Sequence, residues 1–146
     1  MGQVCFLFGQ REVLDSVTGR LEDAVEQMIR MGVDRFVVGS HSLFDRVAAQ
    51  AVSGAKERHG HVSLLRLLPG DGMENETLFD GCWFPRRPAQ VPDRFVQHYA
   101  SQKILESCDS VICFVNGKGN PQILLAIARR RGIPVLNVCD GGTGGL

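Results

Sequence analysis

Cys113-Phe114-Val115-Asn116-Gly117-Lys118-Gly119-Asn120-Pro121-Gln122 is the stretch whose reading decides the fold. Ahead of it, Ser110-Val111-Ile112-Cys113-Phe114-Val115 is a near-continuous β-branched and apolar run, as expected of a strand covered on both faces in a parallel sheet. Behind it, Asn120 is suited to a helix N-cap and Pro121 to the first helical position, where a missing N–H costs nothing. A short glycine-dependent turn is therefore expected between strand and helix. The unpaired N–H groups of a helix start, with Gly117, Gly119 and Lys118 beside them, form a seat for phosphate or another anion. The alternative is that Asn-Gly-Lys-Gly is only a tight connection.

Working outward, the rest of the chain repeats the same grammar. Gln3 to Phe8 reads as a first strand ending at Gly9-Gln10-Arg11. Thr18 to Met31 reads as a helix, with Leu21, Ala24, Val25, Met28 and Ile29 at helical spacing and Gly32 closing it. Arg35 to Val38 is a second strand running into Gly39-Ser40-His41-Ser42. A helix follows whose apolar face is Phe44, Val47, Ala48, Ala51, Val52 and Ala55, and a third strand spans His61 to Leu68.

Periodicity fails from Pro69 to Pro92, where four of the six prolines fall. A loop this long in a compact domain usually serves as a lid or binding loop or stays disordered. Its Trp83, Phe84, Arg86 and Arg87 have the chemistry to stack on and pair with a flat anionic ligand, or simply to pack the loop down. Asp93 to Ser107 reads as a third helix, with Phe95, Tyr99, Ile104 and Leu105 expected on its buried side. The helix after the organising turn is mostly apolar and expected to be well covered. Arg129-Arg130-Arg131 complements the dipole at its end, and Ile133 to Val138 is the fifth strand. Gly141 to Gly145 reads as a tail.

Strands separated by helices predict an α/β, Rossmann-like parallel sheet of five strands with helices on both faces and right-handed crossovers. At 146 residues the chain is read as one domain, residues 1–140, with the 69–92 loop inserted and a tail at 141–146. Lys+Arg and Asp+Glu both number 16, and that balance argues against a sequence-independent nucleic-acid binder. The five cysteines form no C-x-x-C pair, and the four histidines supply no zinc-like spacing with them, so reduced buried thiols and no metal are expected. No apolar stretch approaches the ~18 residues of a spanning helix, and a cytoplasmic location is expected.

Ligands of such sheets sit at the carboxyl ends of the strands, near the point where strand order reverses. Three strand ends carry suitable groups: Gly9, Gln10 and Arg11; Gly39, Ser40, His41 and Ser42; and Asn116, Gly117, Lys118, Gly119 and Asn120. Phe44 and Asp45 follow the second of these. Glycines permit close approach, and the amides, hydroxyls and cations suit phosphate, ribose or base edges. A nucleotide-like ligand is the leading expectation.

These motifs resemble the SLOG superfamily of Rossmann-like proteins, which includes the lonely-guy phosphoribohydrolases and the DNA-processing protein A fold, and are most similar to its small bacterial branch. Phe8-Gly9-Gln10-Arg11 stands where that branch has Thr-Gly-His-Arg. Val38-Gly39-Ser40-His41-Ser42-Leu43-Phe44-Asp45-Arg46-Val47-Ala48-Ala49 echoes its Gly-Gly-x-x-Gly-Phe-Asp element and Ala-rich helix. Asn116 to Gly119, Ala126 to Ala128 and Gly132-Ile133-Pro134-Val135 match its glycine turn, Ala-containing helix and Gly-Ile-Pro-Val. The resemblance implies binding of a nucleotide or nucleotide-derived molecule, by an enzyme or a sensor.

The lonely-guy enzymes carry a Gly-Gly-x-Gly-Thr-x-x-Glu loop with a required glutamate. Here no Asp or Glu stands between Asp109 and Asp140, so that loop lacks the carboxylate a glycosidic cleavage needs. Asp45 is then the carboxylate to consider for a ribose hydroxyl or base N–H, against an ordinary role in the first helical turn. Arg11 suits a bidentate phosphate clamp, against an ordinary salt bridge near the sheet edge, and His41 and Ser40 read as hydrogen-bonding loop residues. No catalytic residue is assigned, no cofactor is required, and binding or sensing is the first expectation. The alternatives are a nucleotide-processing hydrolase using Asp45, Glu74 or Glu76, and a scaffold that binds nothing. Self-association into a homo-oligomer is expected by analogy with small domains of this fold.

Overall fold

The computed structural model describes residues 2–10, 17–39, 42–69, 78–84, 86, 88–117 and 119–140. Its strands are β1 (Gln3–Gly9), β2 (Val33–Val38), β3 (Ser63–Arg66), β4 (Gly81–Cys82), β5 (Ser110–Phe114) and β6 (Val135–Asn137). The helices are α1 (Val17–Arg30), α2 (Leu43–Arg58), α3 (Asp93–Leu105) and α4 (Gly119–Arg131), and a 3-10 turn covers Val138–Asp140. The strands form one sheet in the order β4-β3-β2-β1-β5-β6, with every neighbouring pair parallel.

The sheet has six strands where the sequence predicts five. The extra one, β4, is two residues long and lies inside the 69–92 segment, too short to show any periodicity. It exists because the chain is pinned back onto β3. Asp80 donates its N–H to Leu64 O at 2.7 Å and accepts the Leu64 N–H on its carboxylate, also at 2.7 Å. Leu65 and Arg66 then pair with Gly81 and Cys82.

Side chains alternate faces along the central strands, as the pleat requires. On β1, Cys5 and Leu7 join Phe36, Val38, Leu64, Ile112 and Phe114 against α1 and α2, while Val4, Phe6 and Phe8 join Val37, Val111, Cys113 and Val115 against α3 and α4. This double coverage is why β1 and β5 read as unbroken apolar runs. Burial pushes the thiols of Cys108 and Cys113 up to about 11 and about 12, and raises Cys5 further, so these three act as small apolar core groups.

Helix ends follow local chemistry. Ser42 is the N-cap of α2, its Oγ accepting the Asp45 N–H at 3.1 Å. Gly32 closes α1 at φ +109, its N–H on Ile29 O at 3.0 Å. Arg131 at the end of α4 reaches sideways, donating from Nη1 to Leu105 O and Cys108 O at 2.8 and 2.7 Å, and so satisfies carbonyls at the end of α3.

Three sequence expectations about helices need correction. On α3 the core side is Val96, Ala100, Ile104 and Leu105, while Phe95 and Tyr99 lie exposed at 50% and 36%. Val96, Ala100 and Ile104 are an i, i+4, i+8 row, and that row outweighs the size of the aromatic rings. The fourth helix is covered on one side only, by burial of Leu124, Leu125 and Ala128, with Ile123 49% exposed. It also begins at Gly119, which places Asn120 and Pro121 inside its first turn instead of at the cap and first position.

The link that anchors β4 is pH-sensitive. Burial works to raise the Asp80 carboxyl, but the Lys56 ammonium at 2.6 Å and the Leu64 N–H outweigh it and hold the group below its ordinary value of 3.8. A group depressed in the fold stabilises above its unfolded value and loses that effect as pH falls through the folded one. Asp80→Asn is therefore expected to lose on the order of 1 kcal/mol near neutral pH, kept small because Asp80 is 41% exposed. The deficit against wild type should shrink to nothing in urea titrations repeated as the pH drops below 3.8. A deficit that persists unchanged in acid rules the linkage out.

Candidate functional site

Every helix follows a strand in this parallel sheet, so all four helices start at the carboxyl edge. Each contributes a partial positive charge of roughly half a unit there. Strand order reverses between β1 and β5: β2, β3 and β4 lie to one side of β1, and β5 and β6 lie to the other. The crevice at that reversal is the place where open α/β sheets receive ligands.

The two strand ends flanking the crevice are tied together by Gln10. Its N–H donates to Phe114 O at 3.1 Å, and its side-chain Oε1 accepts the Asn116 N–H at 2.5 Å. On the other side Asn137 continues the β5–β6 ladder with its side chain. Oδ1 accepts the Val115 N–H and the Cys139 N–H, both at 3.1 Å, and Nδ2 donates to Val115 O at 3.0 Å. The turn after β5 thus leaves a fixed point, then passes through Gly117 at φ +94 and Gly119 at φ +77 into α4. Both glycines hold left-handed backbone that a side chain would strain, and the Gly117 position has open space where a Cβ would project.

Close packing shapes the neighbouring strand ends. A Cβ on Gly9 would lie 2.6 Å from Cγ of Phe44. Phe44 itself is fully buried, so it forms the floor beneath the end of β1. At Gly39 a Cβ would lie 2.8 Å from Oδ2 of Asp45 and 3.0 Å from Nε2 of Gln97. The end of β2, the first turn of α2 and the first turns of α3 therefore meet at one spot, with a carboxylate and a carboxamide converging over a bare backbone.

The structure brings Gly9, Gln10, Asn116, Gly117, Gly119 and Asn120 to the β1/β5 crevice, and Gly39 and Asp45 to the adjoining end of β2. Arg11, Ser40, His41 and Lys118 lie outside the described residues, as do Arg87, Glu74 and Glu76. Two residues that shape the edge escape sequence reasoning. Asn137 had a visible signal, as the one polar residue in the run Val135-Leu136-Asn137-Val138, since a polar side chain in a strand needs partners. Gln97 had none, because a glutamine on a half-exposed helix is unremarkable by pattern. Among the described residues no cluster of three His, Cys, Asp or Glu forms a metal site, and no helix is long and apolar enough to cross a membrane.

The sheet order, the crevice and the glycine turn define a Rossmann-like fold, which solved structures share. DNA processing protein A from Streptococcus pneumoniae superposes with a TM-score of 0.63 at 16% identity, over 99% of this chain and 54% of that one. A Helicobacter pylori DNA processing protein A, described for its single-stranded DNA binding mode, gives 0.60 at 11% identity, over 91% and 63%. The molybdenum cofactor carrier protein of Chlamydomonas reinhardtii gives 0.61 at 15% identity, over 95% and 77%. The chain thus spans about half the length of the pneumococcal protein. No family model and no curated protein sequence matches the chain.

Proposed function

We propose that this protein binds a nucleotide or nucleotide-derived small molecule at the carboxyl edge of its sheet, as a binding or sensing module. The observation that carries the reading is the β1/β5 crevice. There Gln10 and Asn137 fix a glycine turn, Gly117 to Gly119, that feeds directly into the start of α4. Such a turn presents backbone N–H groups to an anion, with no side chain at Gly117 or Gly119. The structural neighbours support ligand binding in general terms, since one is described as binding single-stranded DNA and another as a molybdenum cofactor carrier.

Binding fits better than turnover because the turn after β5 supplies no carboxylate, Asp109 and Asp140 being the nearest acids in sequence. In this reading Arg11 and Lys118 neutralise phosphate and Asp45 contacts the sugar or base. A thermal-shift panel of mononucleotides, cyclic nucleotides, ADP-ribose and NAD tests it, because a ligand that binds only the folded state raises Tm. One class should raise the Tm of wild type, and Arg11→Ala and Lys118→Ala should abolish the rise. Failure of every compound at millimolar concentration would leave the scaffold reading in its place.

A further inference from the structure

We propose that His59 and His61 form a two-histidine site for a divalent transition-metal ion such as Zn2+ or Ni2+, with Glu26 as the positioning residue behind His59. The site lies at the amino edge of the sheet, where α2 ends and the chain approaches β3, opposite the ligand edge described above. The inference therefore stands apart from the nucleotide reading. His59 is the C-cap of α2, and its backbone is held on both sides. Its N–H donates to Ala55 O at 2.9 Å, and its carbonyl accepts the Val62 N–H at 3.1 Å. The tight turn through Gly60 brings the two imidazoles edge to face, with ring centroids 6.2 Å apart.

The hydrogen bonding of His59 decides which nitrogen it offers. Glu26 on α1 accepts from Arg58 through Oε2, at 3.1 Å from Nε and 2.5 Å from Nη2, and its Oε1 lies 2.9 Å from Nε2 of His59. Arg58 first, and then His59, hold the Glu26 carboxyl below its ordinary value of 4.5, so at neutral pH it is ionised and only accepts. Nε2 of His59 must then be the donor, which leaves the lone pair of the neutral ring on Nδ1. A carboxylate that takes the far N–H of a histidine in this way fixes its tautomer and raises the basicity of the other nitrogen, as behind metal-bound histidines. Among the described residues, neither that Nδ1 nor His61 has a hydrogen-bond partner. Both rings are reachable, since His61 is exposed and the His59 side chain is 30% exposed.

A metal bonded at about 2.0–2.1 Å to one nitrogen of each ring holds the ring centroids roughly 5–6 Å apart. A small rotation of the exposed His61 side chain therefore closes the present 6.2 Å. Imidazole suits Zn2+, Ni2+ and Cu2+, whereas Mg2+ and Ca2+ take oxygen ligands. The remaining coordination positions fall to water, because Glu26 is committed to Arg58 and His59, and among the described residues no third His, Cys, Asp or Glu completes a cluster. One bound ion ties the end of α2 to the approach to β3 and, through Glu26, to α1.

Isothermal titration of the full chain with Zn2+ and with Ni2+ tests the inference, in a Cys82→Ser, Cys139→Ser background that removes the two thiols not fully buried. One equivalent should bind, and saturating metal should raise Tm. His59→Gln and His61→Gln, each checked for an unchanged circular-dichroism melt, should each weaken binding at least about tenfold, since a lone imidazole remains. Glu26→Gln keeps both ligands and should weaken binding by about tenfold, the lower end of the range for a group that orients a ligand. Nitrogen-15 imidazole spectra of the unmutated site should show His59 protonated at Nε2 and bonded to the metal through Nδ1, with mixed tautomers in metal-free Glu26→Gln. Binding that survives loss of either histidine is adventitious and overturns the site. Absence of both a binding heat and a Tm shift with the two ions does the same, and a metal found on Nε2 overturns the role given to Glu26.

Discussion

Phe44→Ala is expected to cost about 3–5 kcal/mol of unfolding free energy, the range for deleting a buried phenyl ring. Phe44 is completely excluded from solvent in the cluster formed by α1, α2 and one face of the sheet, and its ring lies directly under Gly9. The same contact makes Gly9→Ala destabilising, by about 1–3 kcal/mol, since the new methyl would press on a ring 2.6 Å away that has no room to retreat. The two losses should not add. In the double variant the alanine methyl at position 9 enters space the ring has vacated, and the combined loss should fall short of the sum by at least about 0.5 kcal/mol. Urea melts of the two single variants and the double variant measure this directly. Strict additivity would mean that Gly9 and Phe44 are not in contact in solution.

The second large effect concerns Asn137. Asn137→Ala removes three hydrogen bonds and strands the N–H and C=O of Val115, a residue only 3% exposed. Buried backbone groups left without partners cost about 1–3 kcal/mol each, so a total loss of about 2–6 kcal/mol is expected for the two. Asn137→Asp is the sharper probe. It keeps an acceptor for the Val115 and Cys139 N–H groups but turns a second oxygen toward Val115 O in place of a donor. Its loss should be intermediate, and amide exchange at Val115 should accelerate strongly in the alanine variant and less in the aspartate one. An alanine variant within about 0.5 kcal/mol of wild type would show that water replaces the side chain readily. The rigidity ascribed to the turn after β5 would then need another source.

The parallel sheet was legible because its central strands are apolar on both faces and its helices carry period-3.6 stripes. Gln3–Gly9 and Ser110–Phe114 could hardly read otherwise. What escaped was decided by partners distant in sequence. The strand at Gly81–Cys82 is created by Asp80 reaching back 16 residues to Leu64, a contact no local pattern encodes. Phe95 and Tyr99 looked like core by size, yet the small Ala100 sits inward, in the row it shares with Val96 and Ile104. At the site, glycines marked the strand ends correctly, while the groups that fix them did not stand out. Gln10 reads as a ligand contact, and only the structure adds that its Oε1 accepts the Asn116 N–H; Gln97 becomes visible only beside Gly39.

The sheet tapers. Its central strands run to seven, six and five residues, while the outermost two are two and three residues long. A strand edge recruits a foreign chain in proportion to the length of unpaired backbone it displays, and both edges here are too short to template a stable added strand. The architecture that gathers helix starts at one end of the sheet therefore also protects its flanks against fibril-like growth. A concentrated solution of the native protein is expected to resist amyloid-type aggregation without any charged guard residue on β4.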